Sequence, residues 1–197
     1  MSTGADALSK LNSPRVDTRR AERRALTLAS FDDLARELDR IEHAARPEGD
    51  GLRVTGNWSA GQILEHIAKA IERSMDGFST LPASMRPAPR GLTALSDRPA
   101  HARALAAEHS LRATLLADSF SPDSPGFSLP REIDPAMYVW TNDGAARLRV
   151  ALARIRDGHP MAKPSPTIGP LSQEEWAALH LRHAALHLSF IILGQWR

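Results

Sequence analysis

Three histidines occur within eight positions near the end of the chain, in the stretch HLRHAALHLSF at residues 180–190. His183 and His187 are four residues apart, a spacing that places two imidazoles on one side of an α-helix, one turn from each other. Neutral imidazole is the commonest side-chain ligand of divalent transition metals. Because two ligands alone hold an ion weakly, this spacing predicts a metal site only if a third ligand lies nearby.

His66 is the candidate for that third ligand, in the segment WSAGQILEHIAKAIE at residues 58–72. On a helix, His66 flanks the apolar face next to Ile63 and Ala70, so its side chain is expected to point along the seam toward the last helix. The sequence thus predicts an open site of three histidines. The alternative is that His66 bonds a backbone carbonyl and that the HxxxH pair arose by chance in an alanine-rich helix.

The histidines of the last segment share its apolar face with Trp176 and Phe190. A buried imidazole nitrogen without a partner costs about 1–3 kcal/mol, and one metal ion satisfies several such nitrogens at once. His180 lies one turn before His183. It is expected either to support the metal ligands through a hydrogen bond, to replace one of them, or simply to pack beside Trp176.

Four long amphipathic segments must position these residues. The apolar spacing predicts helices over about 31–45 and 60–78, a third over TNDGAARLRVALARIRDG at 141–158, and a last one within LSQEEWAALHLRHAALHLSFIILGQW at 171–196. Capping-box pairs are expected to begin the first, second and last helices, at Ser30/Asp33, Ser59/Gln62 and Ser172/Glu175. Thr141 or Asp143 is expected to cap the third.

Few runs of the sequence alternate with the period of a strand, so the fold class is predicted to be all-α, a four-helix bundle. A long irregular crossover joins the second and third helices. A short helix or two is expected in AHARALAAEHSLRATLLADSF at 100–120, followed by the loop SPDSPGFSLPREIDP at 121–135. Loops of this length usually have a function, and this one is a candidate lid.

Composition restricts the function further. The 197 residues, 42% of them hydrophobic, suffice for one domain, predicted at 29–197, preceded by a basic, disordered arm at 1–28. Acidic residues interrupt the arm and no aromatic residue is interleaved with its arginines, so nucleic-acid binding is not favoured. The chain has no cysteine, which excludes disulfides and thiolate ligands. Without a long apolar run or a leader segment, a cytoplasmic protein is expected.

The two histidine-bearing segments, together with SPGFSLP at 124–130, resemble the DinB-like superfamily, in particular a branch of unknown function. The resemblance spans about residues 30–192. It implies an up-down-down-up bundle and frequent homodimers. It also implies a divalent metal such as zinc or nickel, held by one histidine of the second helix and an HxxxH pair of the last. By position these ligands are His66, His183 and His187.

Superfamily members with known activities include thiol-dependent S-transferases and a thiol-dependent maleylpyruvate isomerase. The resemblance therefore implies a metal-dependent enzyme, a transferase or a hydrolase, acting on a small molecule, with a low-molecular-weight thiol as a further cofactor. Since the chain has no cysteine, a nucleophilic sulfur would have to arrive with that small molecule. The alternative is a non-catalytic binding or stress-response module in which the metal is structural or absent.

Overall fold

The computed structural model describes residues 15–78, 131–166 and 168–194 of the chain. This part is mostly helical, as predicted. Its elements, in chain order, are α1 (Phe31–Ala45), β1 (Leu52–Val54), α2 (Ala60–Asp76), a 3₁₀ turn (Arg131–Ile133), α3 (Thr141–Arg156), α4 (Gln173–Leu188) and β2 (Ile191–Leu193). The helix or two expected within 100–120 and most of the loop expected at 121–135 lie outside the described residues.

Side-chain caps begin three of the four helices. The predicted capping boxes of α1, α2 and α4 are confirmed, with Ser30, Ser59 and Ser172 as their N-caps. The predicted cap of α3 is wrong. That helix begins at Thr141 itself, and its N-cap, Trp140, makes no side-chain capping bond.

A close backbone approach explains the start of α3. A Cβ atom added at Gly61 of α2 would lie 2.3 Å from the Val139 carbonyl oxygen and 2.5 Å from that of Trp140. A Cβ at Gly144 of α3 would lie 2.3 Å from the Gly61 carbonyl oxygen. The two glycines allow α2 and the entry to α3 to touch, and this tertiary contact overrides the local preference for a polar cap.

The helices enclose one core. The helix α2 packs most extensively against α3 and next against α4, while α1 packs against the same two helices. The helices α1 and α2 therefore lie at opposite corners of the bundle. Fully buried side chains from all four helices fill the space between them, among them Leu34, Leu38, Ile67, Ile71, Leu148 and Leu188. Burial of these apolar side chains is the main force that holds the bundle together.

The end of the last predicted helix differs from expectation. The helix α4 stops at Leu188, and Ile191–Leu193 form β2, which pairs antiparallel with β1 in a two-stranded sheet. The Ser189 hydroxyl bonds the Leu186 carbonyl oxygen, a local bond that competes with continuation of the helix. Two of the three residues of β2 are β-branched isoleucines, which favour a strand. Phe190 and Ile191 are therefore buried next to the bundle without being part of α4.

Residues 15–28, the second half of the arm predicted to be disordered, have no helix or strand but run along the bundle with defined contacts. The Arg24 guanidinium pairs with the buried Glu37 carboxylate of α1, and the Arg24 N–H donates to the Ser189 carbonyl oxygen. Leu26 and Leu28 pack against the core. Apolar residues between the arginines explain these contacts, because they gain free energy by burial. Residues 1–14 lie outside the described part.

No helix in the described ranges combines the length and the apolar character needed to cross a membrane.

Candidate metal centre

The two-stranded sheet brings the histidine-bearing helices into register. Strand β1 leads into α2 and β2 follows α4, so their pairing holds the start of α2 beside the end of α4 and makes the two helices antiparallel. His66 lies about 9 Å along α2 from Ala60, and His183 lies about 7.5 Å before the end of α4 at Leu188, at 1.5 Å per residue. Histidines from distant parts of the sequence therefore face each other at the same height.

His66, His183 and His187 form one cluster. Each offers one ring nitrogen, and these three nitrogens all lie within 4.8 Å of one another. The ring centroids are 4.6–4.8 Å apart, and the rings meet edge to face. The structure therefore brings together the three residues that the sequence predicts as ligands.

A backbone carbonyl sets the protonation of His66. Its Nδ1 lies 2.7 Å from the Ile133 carbonyl oxygen, and because that oxygen can only accept, Nδ1 carries the proton and donates it. The Nε2 atom of His66 then carries no proton and acts as an acceptor, 3.0 Å from Nε2 of His183. An imidazole held in this tautomer presents its lone pair to a metal, as in many metal sites where the other ring nitrogen is tied to a carbonyl.

Residues 131–139, hereafter the strap segment, supply that carbonyl. Side chains of α2 form hydrogen bonds with several backbone groups of this segment. Lys69 donates to the Asp134 carbonyl oxygen at 2.8 Å, and the Glu65 carboxylate accepts from the Ala136 N–H at 2.7 Å. The Gln62 amide donates to the carbonyl oxygens of Ala136 and Met137, both at 3.0 Å. Three side chains of α2 therefore hold the strap segment, and with it the Ile133 carbonyl, in place beside His66.

Glu65 has a structural role in this arrangement. Burial raises the pKa of its carboxyl, but the Ala136 N–H and the charges of Lys69 and Arg147 outweigh burial and hold the pKa below its usual range. Arg147 of α3 also bonds Glu72 at 2.6 Å, so it links α3 to two carboxylates of α2. Glu65 is therefore ionised and committed to the strap segment and to Arg147, and does not serve as a base beside the histidines.

Trp58 covers one side of the cluster. Its ring centroid lies 4.6 Å from that of His66 and 5.4 Å from that of His187, with which it stacks. His66 and His183 are buried, whereas His187 is partly exposed and lines a cavity of about 200 Å³. The cluster is thus shielded by an aromatic ring on one side and accessible next to His187.

All three imidazoles are neutral near pH 7. Burial lowers the pKa of His66, and the Ile133 carbonyl, which acts in the opposite direction, does not compensate. Burial also lowers the pKa of His183 and His187 to well below the ordinary value of 6.5, and the neighbouring imidazoles lower both further. Neutral imidazoles keep their lone pairs available, which is the form a metal binds.

The donor set fits a transition metal. Zinc binds imidazole nitrogen at about 2.0–2.1 Å, which separates two ligands of a tetrahedral ion by about 3.4 Å. The 3.0 Å between the Nε2 atoms of His66 and His183 is close to that separation. The cluster contains no carboxylate, so it suits zinc, nickel or iron better than the magnesium or calcium that prefer oxygen ligands.

His180 is not a member of the cluster. Its ring stacks on Trp176 with 5.0 Å between centroids, and its Nε2 atom has no hydrogen-bond partner in the described structure. Of the roles predicted for His180, packing beside Trp176 is therefore the one that the contacts show. Burial lowers its pKa to about 3, so it is neutral as well.

Sequence reasoning missed two contributors to the site, Trp58 and the Ile133 carbonyl. Trp58 immediately precedes Ser59, the N-cap of the helix that carries His66, and this position next to the cap was the available signal. The Ile133 carbonyl gave no signal in the sequence. Every residue has a backbone carbonyl, and only the fold determines which one faces the imidazole.

One family model matches most of the chain. It is described as "Protein of unknown function (DUF1569)" and covers residues 20–192, which include the three histidines, Trp58 and the strap segment. No curated protein and no solved structure matches the chain.

Proposed function

Because the chain belongs to the DUF1569 family, whose function is unknown, we propose a function from the geometry of the site: the protein binds a divalent metal ion through His66, His183 and His187 and is a metal-dependent enzyme. One observation carries the proposal. Three neutral imidazoles from two helices offer nitrogens within 4.8 Å of one another, close enough for one ion to contact all three.

The ion is zinc or nickel, and the reaction is a thiol-dependent transfer or a hydrolysis. The resemblance to the DinB-like superfamily, which implies the same three ligands, supports this choice. When bound, the ion supplies a Lewis acid that increases the acidity of a thiol or a water molecule. The chain has no cysteine of its own, so a reacting sulfur comes with a small molecule.

The protein's own residues prepare the site. The Ile133 carbonyl keeps the Nε2 lone pair of His66 directed at the cluster, and Trp58 excludes water from one side. Three neutral ligands leave the full charge of the ion uncompensated, and His187 adjoins a cavity through which a small molecule can approach. An accessible centre of this kind is typical of catalytic metal sites, whereas structural sites are closed by a fourth protein ligand.

Elemental analysis of protein made without a polyhistidine tag tests the proposal. After loading with zinc or nickel and dialysis, we expect about one ion per chain in the wild type, from the single three-histidine group of the described residues. His183→Ala should retain less than about a tenth of that amount, because two ligands bind weakly. The matched control is His43→Ala, which removes an exposed histidine of α1. A wild type without stoichiometric metal after loading contradicts the proposal.

Chelation separates a catalytic ion from a structural one. The buried residues of the bundle pack through apolar contacts, so removal of the ion is expected to lower the melting temperature only slightly. A large loss of stability on chelation would instead support the non-catalytic module with a structural ion.

A further inference from the structure

The cavity beside His187 has two chemically different parts. Aromatic and aliphatic side chains form its walls, namely Trp58, Phe190, Ile63 and Leu186, whereas Arg15, Thr18 and Asn57 form a polar edge. At about 200 Å³ it is smaller than the cavities of about 300–1,000 Å³ that hold drug-sized ligands. The cavity therefore has room for a small molecule with an apolar body.

Two arginines lie at this cavity. Arg15 lines it, and the Arg23 guanidinium lies 4.6 Å from the centroid of the Phe190 ring. Arg23 donates to the Thr18 carbonyl oxygen at 2.8 Å, which anchors it at the polar edge.

No carboxylate among the described residues lines the cavity or pairs with either arginine. The acidic residues of the same segment are engaged elsewhere, since Glu22 pairs with Arg53 and Asp17 with Arg20. The charge of Arg15 and Arg23 is therefore available to an anion that enters the cavity. A guanidinium fork matches the planar geometry of a carboxylate, and an aromatic wall matches a flat apolar body.

We propose that this cavity selects small organic carboxylates as substrates, with the carboxylate held by Arg15 and Arg23 and the apolar body against Trp58 and Phe190. The inference rests on the proposed function, because it treats the cavity as the approach to the three-histidine site. This placement leaves the carboxylate at the polar edge and directs the rest of the molecule toward His187.

Benzoate and its neutral analogue benzamide are the probes, and binding to chelator-treated protein is followed by ligand-observed NMR titration. Without a metal ion, the carboxylate cannot bind to the centre itself. We expect benzoate to bind at least about tenfold more tightly than benzamide, since hydrogen bonds to a charged group are about twice as strong as neutral ones. Arg15→Gln should reduce that preference severalfold, and the double variant Arg15→Gln/Arg23→Gln should abolish it.

Arg20→Gln is the matched control, because Arg20 is an exposed arginine of the same segment that does not line the cavity. It should keep the full preference for benzoate. Equal binding of the two probes to the wild type, or an unchanged preference in the double variant, overturns the inference. The binding measurement uses metal-free protein, so it is valid whether or not the protein takes up metal. Metal uptake without a preference for the carboxylate would contradict this inference and leave the proposed function in place.

Discussion

His180 is a buried histidine of α4 that, unlike His183 and His187 on the same helix, does not belong to the three-histidine cluster. It is 3% exposed, and its Nε2 atom lacks a hydrogen-bond partner in the described structure. Its ring stacks on Trp176, whose indole N–H donates to the Lys163 carbonyl oxygen at 3.0 Å. Burial without a partner disfavours the charged form, which explains why the pKa of His180 falls to about 3.

Stability is therefore expected to fall as the pH is lowered. Between about pH 6.5 and pH 3 the unfolded chain protonates His180 and the folded chain does not, so protons favour unfolding. In metal-free protein we expect the free energy of unfolding to decrease below pH 6.5, with His180 contributing up to about 1.4 kcal/mol per pH unit. Urea denaturation at several pH values measures the slope.

His180→Phe isolates the contribution of this side chain, because phenylalanine keeps a ring against Trp176 and cannot titrate. The variant should show a shallower slope between pH 6.5 and pH 4 than the wild type. His43→Phe, which replaces an exposed histidine of α1, is the control for the substitution itself. Equal slopes in His180→Phe and the wild type would show that His180 is protonated in the folded state.

At the scale of elements, the contact between α2 and the strap segment fixes the geometry of the histidine cluster. Residues spaced by about one turn of α2, namely Gln62, Glu65, His66 and Lys69, all bond this segment. Groups that orient a metal ligand typically affect affinity by about 10–100-fold when they are removed. The strap segment is therefore expected to influence metal binding through the hydrogen bond of its Ile133 carbonyl to His66.

Glu65→Ala is predicted to weaken metal binding by about tenfold. The substitution removes the acceptor of the Ala136 N–H and loosens the segment that holds the Ile133 carbonyl against His66. Competition with a chelator of known affinity measures the change.

The matched control is Glu72→Ala, which removes the other carboxylate that Arg147 binds and makes none of the bonds to the strap segment described above. It should leave metal affinity nearly unchanged. If the two variants weaken binding equally, the effect comes from Arg147 and the α2–α3 contact, and the strap segment has no separate role.

At the scale of the whole molecule, residues 15–28 connect the first helix of the bundle, α1, with the end of the last helix, α4. Arg24 contacts Glu37 of α1 and the end of α4, and Thr55 donates through its hydroxyl to the Glu22 carbonyl oxygen at 2.6 Å. Glu37 is only 2% exposed, and its carboxylate pairs with Arg24 and, at a longer distance, with the exposed Arg40. This ion pair links residues 15–28 to a buried carboxylate of the bundle.

Arg24→Met is predicted to lower the free energy of unfolding by about 2–4 kcal/mol, because it leaves the buried Glu37 carboxylate with the exposed Arg40 as its ion-pair partner in the described part of the chain. The double variant Arg24→Met/Glu37→Met should recover most of that loss, since an apolar pair of similar volume replaces both charges. Urea denaturation measures both. Arg20→Met, at an exposed position of the same segment, is the control and should change stability little. A loss of the same size in the double variant would contradict this explanation.

The sequence by itself determined most of the local structure and the identity of the clustered residues. Three capping boxes and the apolar period located α1, α2 and α4 to within a few residues at their starts, because these signals act within one turn of a helix. The spacing of His183 and His187 and the position of His66 beside an apolar face selected the three histidines, since an imidazole on a buried face needs a partner.

Only the tertiary structure decided how these pieces meet. The two-stranded sheet that places His66 opposite His183 pairs segments about 140 residues apart, and short strands without a period-two pattern give no reliable local signal. The Ile133 carbonyl, the glycine contact between α2 and α3, and the docking of residues 15–28 are likewise contacts between distant segments. Such contacts depend on the three-dimensional arrangement of the bundle, which local propensities do not encode.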